Sequence, residues 1–289
     1  MDKEKFYDSI SQFYNEMIDF DKALIRRKEL LAGFLSHDIA KANFYWRRLY
    51  AADLGCATGI DSIALSQLGL EVTSFDISGE MIKKAKTNAE KFRIKLNAVK
   101  TDLADIAPEF NENFDLIISS SNTPANIPFD KIQLVLDNFY RILKPNGKFI
   151  IQLLNYDKML KEKTQTFART NIANDEIIRG YTYGEDDMQF NVKRQPRENS
   201  KPQENIVSGD SAEHSLQNRE DLLSKNNPDS SSENVSEFSS SIFPHRKGEM
   251  EQYLLNSGFA ELEFFGGLDR NRFNIETSKD LVITGIKPE

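Results

Sequence analysis

A single cysteine, Cys56, leaves the 289-residue chain without an internal disulfide, and three histidines (His37, His214, His245) are too few ligands for a structural zinc site. No metal is therefore expected. No apolar run approaches the roughly 18 residues of a membrane helix, and Met1–Asp8 (MDKEKFYD) is too charged for a signal segment. An excess of positive charge is also missing. Lys plus Arg number 37 against 45 Asp plus Glu, a formal charge of -8, so no global field draws a phosphate backbone. The basic residues Lys83, Lys84, Lys86, Lys91, Arg93 and Lys95 are broken by Glu80 and Glu90, with Phe92 alone as a stacking aromatic, and read as a solvated helix face, with an RNA-facing patch as the alternative. A soluble, cytoplasmic protein with no nucleic-acid or membrane partner is the expectation; oligomeric state is left open.

Gln195–Ser241 stands apart. Its 47 residues hold 12 serines, 3 prolines and 8 hydrophobic residues, too little apolar surface to offset chain entropy. With 4 basic and 9 acidic residues it carries -5 of the -8. It reads as a disordered insertion in a loop, with a partner-binding or phosphorylated segment as the alternative. Elsewhere short apolar runs alternate with helical periodicity, the pattern of an α/β protein with a mostly parallel sheet. Strands are predicted at Leu49–Asp53, Val72–Asp76, Asn97–Lys100, Phe114–Ser119, Lys148–Leu154, Phe259–Phe265 and Leu281–Ile286, and helices at Asp21–Ala40 and Arg246–Asn256. Ile132, Val135, Leu136, Phe139, Ile142 and Leu143 mark a further amphipathic helix, stopped by Lys144-Pro145-Asn146-Gly147, which reads as a tight turn.

The segment YAADLGCATGIDSIALSQLGLEVTSFDIS carries the chemistry. Gly55 and Gly59 lie between a strand and a helix, where a ligand can approach backbone N–H groups, and Asp76 closes the next strand 21 residues beyond Gly55. An acid at that distance can accept two ribose hydroxyls, which points to a nucleotide-like cofactor. The loop Asp53-x-Gly55-Cys56-Ala57-x-Gly59 lacks the G-x-G-x-x-G triplet of nicotinamide sites.

This D-x-G-x-x-x-G pattern resembles motif I of class I S-adenosylmethionine-dependent methyltransferases, with Ala57 where the family usually has glycine. Thr101-Asp102-Leu103, FDLIISSSN (Phe114–Asn122) and RILKPNGKFIIQ (Arg141–Gln152) resemble the segments that follow in that family. GIDSIALSQLGLEVTSFDISGEMIKKA is similar to the glycine and sarcosine N-methyltransferases, as are SNTPAN, Asn155-Tyr156-Asp157, Phe243-Pro244-His245 and the Phe265–Gly267 region in order. The resemblance implies a Rossmann-like seven-stranded, mostly parallel sheet with helices on both faces, a small antiparallel lid, and S-adenosylmethionine as cofactor. It implies a helical cap (1–48), a cofactor-binding core (49–155), a lid (156–194 and 237–245) interrupted by the insertion (195–236), and a last helix and two strands (246–289). The expected lid strands are Glu176–Tyr183, Met188–Arg194 and Glu237–Phe243.

On this resemblance the cofactor meets Tyr14, Arg26, Asp53, Gly55, Cys56, Ala57, Gly59, Asp76, Ile77, Met81, Asp102, Leu103 and Ser120, with Arg26 on its carboxylate and Tyr7 close by. Asn122 and Tyr156 are the candidate catalytic residues, and Asn126, Leu154, Asn155, Arg179, Tyr181 and His245 the candidate substrate-binding ones. In the glycine-methylating relatives an arginine precedes Asn-Tyr-Asp and pairs with the substrate carboxylate; Leu154 stands there, so glycine is expected to be a poor acceptor unless Arg179 supplies the charge. A neutral amine needs positioning more than a strong base. Three functions stay open: a methyltransferase of a small molecule, most simply an amine; an RNA or protein methyltransferase; and a noncatalytic cofactor-binding or interaction protein.

Overall fold

The computed structural model describes residues 2–163, 166–184, 188–197 and 235–289. The chain opens with helices α1 (Lys3–Ile10), α2 (Tyr14–Ile18), α3 (Phe20–Phe34) and α4 (Ser36–Phe44). Strands and helices then alternate: β1 (Tyr50–Leu54), α5 (Ile60–Gln67), β2 (Glu71–Asp76), α6 (Gly79–Lys91), β3 (Asn97–Lys100), β4 (Phe114–Ser119), α7 (Ile132–Ile142), β5 (Leu143–Leu154) and α8 (Tyr156–Glu162). Among the described residues four strands follow: β6 (Thr166–Ile172), β7 (Asp175–Tyr183), β8 (Met188–Pro196) and β9 (Ser236–Ile242). The chain returns to the main body with α9 (Lys247–Asn256), β10 (Ala260–Phe265) and β11 (Asp280–Ile286).

Among the described residues the main sheet has seven strands in the order β10-β11-β5-β4-β1-β2-β3. β11 alone runs against its neighbours, which brings its first residue, Asp280, opposite Leu154 at the end of β5. The parallel strands are buried on both faces, as their apolar runs require. Ala52, Leu54, Ile117, Phe149, Ile151 and Ile283 pack against Phe139 of α7 and Leu254 of α9. The alternate residues Ala51, Leu116, Ile118, Ile150 and Val282 pack against Leu31 of α3 and Ile63 of α5. The period of two thus serves both layers. This is the Rossmann-like arrangement with helices on both faces, and its strand ends form the rim on which the site is built.

The second sheet is antiparallel, in the order β6-β7-β8-β9. Ile177 and Val192 pack against Phe6, Ile10, Phe13 and Met17 of the N-terminal helices, while Tyr181, Met188 and Ile242 meet Leu154 and Tyr156 from the end of β5. The lid is therefore clamped between the N-terminal helices and the main sheet.

Four expectations need correction. The helix predicted over Asp21–Ala40 is two helices, because Leu35 leaves helical dihedrals (φ -100°, ψ 7°) two residues after Gly33, and Phe34 and Leu35 both enter the core. The turn at Lys144–Gly147 lies within β5: pairing with β4 begins at Leu143, shifts register and resumes at Lys148, with Asn146 in a left-handed conformation and its N–H donated to Lys287 O at 2.8 Å. The lid has a first strand, β6, whose polar TFARTNI run gave little apolar signal. Finally, Gln195 and Pro196 continue β8, and Ser236 through Ser241 belong to β9, held by the cross-strand register Arg194↔Ser236 through Met188↔Ile242. Ladder pairing overrides composition there. The remainder of the expected insertion, 198–234, lies outside the described residues.

Candidate cofactor and acceptor site

The loop after β1 is held by the end of β2. Gly55 N–H and Cys56 N–H both donate to Phe75 O, at 2.8 and 3.0 Å. Ala57 N–H donates to Asp76 Oδ2 at 2.8 Å, and Ser78 N–H to Asp76 Oδ1 at 2.9 Å. Burial raises the Asp76 carboxyl to about 6, against these stabilising backbone bonds. Two glycines are required on steric grounds. A Cβ on Gly55, whose φ is +83°, falls 2.3 Å from Thr123 Cγ2, and one on Gly59, at φ +90°, falls 3.1 Å from Ala85 Cβ of α6. Ala57 takes a left-handed φ of 45° without being glycine, a strain of about 1–2 kcal/mol.

Two adjoining cavities open on this loop and share Tyr7, Tyr14, Gly55, Ala57, Ser121 and Asn126 in their walls. One, of about 380 Å³, runs past Asp76 and Ile77 to Asp102 and Leu103; Asp102 there accepts Ala104 N–H at 2.9 Å. The other, of about 300 Å³, is lined by Arg27, Cys56, Asp61, Ser120, Asn122, Gln152 and Leu154 from the main body, Arg179, Tyr181, Phe190 and Ile242 from the lid, and Asp280 from β11.

The N-terminal helices roof both. Asp8 accepts Ser78 Oγ–H at 2.5 Å and Glu80 N–H at 3.2 Å, which pins α1 to the start of α6. Lys3 Nζ donates to Asn126 Oδ1 at 2.9 Å and to Ser241 O in the lid, and burial lowers its pKa to about 8. Tyr7 Oη–H also donates to Asn126 Oδ1, at 3.1 Å. Burial holds Tyr7 and Tyr181 well above the usual phenol range and pushes Tyr14 up to about 12. These three phenols are thus neutral at any ordinary pH, and Arg179 lies among them; its buried Nε has no hydrogen-bond partner among the described residues.

The candidate residues separate on this geometry. Tyr14, Gly55, Cys56, Ala57, Asp76, Ile77, Asp102, Leu103 and Ser120 line one or both cavities, as do Asn122, Asn126, Leu154, Arg179 and Tyr181. Seven do not. Arg26 is exposed; the helix turns its neighbour Arg27 inward to pair with Asp61 at 3.0 Å. Asp53 lies beneath the loop, accepting Ser62 Oγ–H at 2.5 Å, its carboxyl raised to about 8 by burial and by Asp61. Gly59 supports helix packing, and Met81 is core beneath Phe6 and Ile10.

Tyr156 is buried, and its hydroxyl accepts Asn122 Nδ2–H at 2.7 Å. Since Asn122 Oδ1 also accepts Leu154 N–H at 3.1 Å, that amide is committed to holding β4 against β5. Asn155 caps α8, accepting Lys158 N–H and donating to Ile275 O and Ser278 O at 2.9 and 3.0 Å. His245 is fully buried, its Nε2 2.9 Å from Ile127 O, its ring 4.9 Å from that of Phe129 and its pKa lowered by burial.

Sequence reasoning missed Lys3, Arg27, Asp61, Thr123, Gln152 and Asp280. A signal existed for Arg27: it falls three residues after Leu24 and four before Leu31 and so shares their buried face, which Arg26 does not. None existed for Gln152 with Asp280, which only sheet topology brings together.

A family model described as methyltransferase domain matches residues 49–195. Glycine/sarcosine N-methyltransferase of Aphanothece halophytica is 33% identical over 111 residues, 38% of this chain and 42% of that protein. Its namesake from Halorhodospira halochloris is 27% identical over 158 residues, 54% of this chain and 56% of that protein. The chain thus spans about half the length of the curated relatives it matches. An S-adenosylmethionine-dependent methyltransferase from Clostridium acetobutylicum superimposes with a TM-score of 0.69 at 15% identity, covering 96% of this chain and 99% of that one, which establishes the shared fold. With the family model spanning half of its length from β1 into the lid, the chain belongs to the methyltransferase-domain family.

Proposed function

We propose that the chain transfers the methyl group of S-adenosylmethionine to the nitrogen of a small-molecule amine. The observation that carries this reading is the pair of cavities meeting at Tyr7, Tyr14, Gly55, Ala57, Ser121 and Asn126, one suited to a nucleoside and the other roofed and small. The residues present fit the cofactor. Asp76 retains lone pairs for ribose hydroxyls after accepting its two backbone N–H groups, and its raised pKa marks a buried charge that further donors would stabilise. Asp102 and Leu103 would hold the adenine end, and Arg27, in the wall of the other cavity, would meet the methionine carboxylate.

When bound, the cofactor supplies an activated methyl carbon: the amine lone pair forms the new N–C bond, the C–S pair returns to sulfur as a neutral thioether, and the nitrogen loses a proton. The chain's part is to hold donor and acceptor in line and exclude water, worth roughly 7–11 kcal/mol. The lid and N-terminal helices perform the exclusion. Tyr7, Tyr14 and Tyr181 stay protonated and offer ring faces and hydroxyls to a cationic centre. Leu154 supports an apolar portion of the acceptor, and Arg179 offers a cation to an anionic one.

The test is transfer of labelled methyl groups to panels of small amines, glycine and sarcosine among them, and to RNA and protein. Turnover with a small amine is expected; transfer confined to a macromolecule, or no binding of S-adenosylhomocysteine, overturns the reading. Efficient use of glycine or sarcosine that Arg179→Ala abolishes would identify the lid arginine as the substitute for the one that Leu154 displaces.

A further inference from the structure

The 300 Å³ cavity contains a pair of groups with no part in the chemistry above. Asp280 opens β11 opposite Leu154, and Gln152 lies two residues earlier on β5, paired with Val282. Both side chains therefore stand on one face of the sheet at diagonal positions, and both line the cavity. Gln152 Nε2 donates to Asp280 Oδ2 at 3.1 Å. That bond fixes the amide's orientation and commits its donor end. Its Oε1 is sealed from solvent and has no hydrogen-bond partner among the described residues, an unfavourable state for a carbonyl oxygen. Asp280 is itself largely buried, and burial raises its carboxyl above the ordinary range despite the Gln152 bond and the more distant Lys279, Arg27 and Arg26. Arg27 is already engaged by Asp61 at 3.0 Å and Ser121 Oγ at 3.4 Å.

We propose that Gln152 and Asp280 bind the ammonium group of a ligand in this cavity. A carboxylate and an orphaned amide oxygen side by side call for at least two N–H donors and one positive charge. A hydroxyl has one donor and no charge, and an anion is repelled. An alkylammonium meets the carboxylate directly and the amide oxygen once the Gln152 side chain shifts to expose it, and leaves a third N–H for solvent or a phenol. Two ligands carry that group into the site, the amino-acid end of the cofactor and the amine acceptor, which is captured as the ammonium and frees its lone pair by releasing one N–H proton to water before it reacts. In the second case Arg179 on the lid wall and Asp280 on the sheet wall together select a zwitterion. The inference rests on the reading of this cavity as a methyl-transfer site.

The full chain is titrated calorimetrically with S-adenosylhomocysteine and with ethanolamine, the latter both alone and at saturating S-adenosylhomocysteine. Wild type is compared with Asp280→Asn and, as a control, with Asp130→Asn, which is exposed. Asp280→Asn is expected to weaken at least one probe tenfold or more while the control matches wild type. Loss confined to S-adenosylhomocysteine assigns the pair to the cofactor, and loss confined to ethanolamine assigns it to the acceptor. Gln152→Met removes the whole amide, the orphaned oxygen together with the Nε2–H bond to Asp280, and should weaken the same probe, which keeps the test open if Asp280→Asn folds poorly. Unchanged affinity for both probes, or no ethanolamine binding together with unchanged S-adenosylhomocysteine affinity, overturns the assignment. Wild type that binds ethanolamine but not S-adenosylhomocysteine would instead break the proposed function and leave the ammonium site standing.

Discussion

The two walls of the proposed site, one for the cofactor and one for the acceptor, are built differently. The cofactor wall is local: Gly55, Cys56, Ala57, Asp76, Ser78 and the packing of Ala85 under Gly59 lie within one βαβα stretch, bonded through the backbone of β2. The acceptor wall is assembled from Tyr7 and Tyr14 of the N-terminal helices, Asn126 after β4, Gln152 and Leu154 of β5, Arg179 and Tyr181 of the lid, and Asp280 of β11. A local wall can be recognised from a motif because short-range spacing and geometry coincide. A wall drawn from five places is free to change one residue at a time, Leu154 of β5 among them. The difference predicts that substitutions in the first wall act on cofactor binding and stability, and those in the second on acceptor choice.

The strongest test falls where the walls meet. Arg27 and Asp61 form a buried pair with side chains 15% and 7% exposed, and removing one partner of such a pair typically costs about 3–5 kcal/mol. Arg27→Ala is expected to lower unfolding free energy by about 3 kcal/mol by that principle and to weaken S-adenosylhomocysteine binding more than tenfold. Arg26→Ala, in solvent, should change neither. Denaturant unfolding and calorimetry check this, and equal effects from the two variants would show that the arginine assignment by helix face is wrong.

Asp76 comes next. Losing charge-assisted hydrogen bonds to ribose hydroxyls costs roughly 1.5–3 kcal/mol, so Asp76→Ala should weaken S-adenosylhomocysteine binding about tenfold or more. The pH dependence has a definite sign. The folded carboxyl is raised from 3.8 to about 6, so its contribution to the stability of the free protein is complete below the lower value and lost as pH rises through the upper one. Ligand hydroxyls favour the ionised form, so cofactor affinity should fall as pH drops below about 6, a dependence that Asp76→Asn should remove. Affinity that is flat across this range in wild type would place the ribose elsewhere.

The same division explains what was legible in the sequence. The alternation of strands and helices, the two apolar layers and the glycine loop follow from spacings of a few residues, and the observed strands match the expected ones within a residue over β1 to β4. Failures occur where long-range pairing decides. Composition does not distinguish Ser236–Ser241 from the serine-rich segment before it; the family resemblance placed a lid strand at Glu237–Phe243, and the register with β8 forms it at Ser236–Ile242. Tyr156, Asn155 and His245 belong to recognisable segments, yet their polar atoms go to Asn122, to backbone oxygens and to Ile127 O, so resemblance of a segment did not carry over to the role of each side chain. Gln152 and Asp280 are 128 residues apart and meet at 3.1 Å.

A smaller effect is expected from shortening the lid. Arg194 pairs with Ser236 across β8 and β9, so the two strand ends are adjacent and a short turn can join them. Replacing 198–234 by such a turn should leave the melting temperature and S-adenosylhomocysteine affinity near wild type, because loop length contributes only logarithmically, about 0.6 kcal/mol per doubling. Extending the deletion to Gln195–Ser241 removes most of β9 and should abolish cofactor binding, since Ser240 and Ile242 are buried in the lid. Similar behaviour of the two deletions would show that β9 does not hold the acceptor wall.

The finest test lies in the glycine loop itself. Ala57 sits at φ 45°, where a Cβ costs about 1–2 kcal/mol. Ala57→Gly relieves that strain but enlarges the unfolded ensemble, an opposing contribution of about 0.4–1 kcal/mol. The net is a stabilisation of about 0.5 kcal/mol from those two principles, read as a small rise in denaturant midpoint with unchanged slope. The Ala57 N–H bond to Asp76 should survive, so S-adenosylhomocysteine affinity should change less than about threefold. If Ala57→Gly instead weakens binding tenfold, the methyl group is part of the cofactor's contact surface, since Ala57 lines both cavities, and the loop's strain is maintained for binding. In that case even the local wall would carry a residue that its motif does not specify.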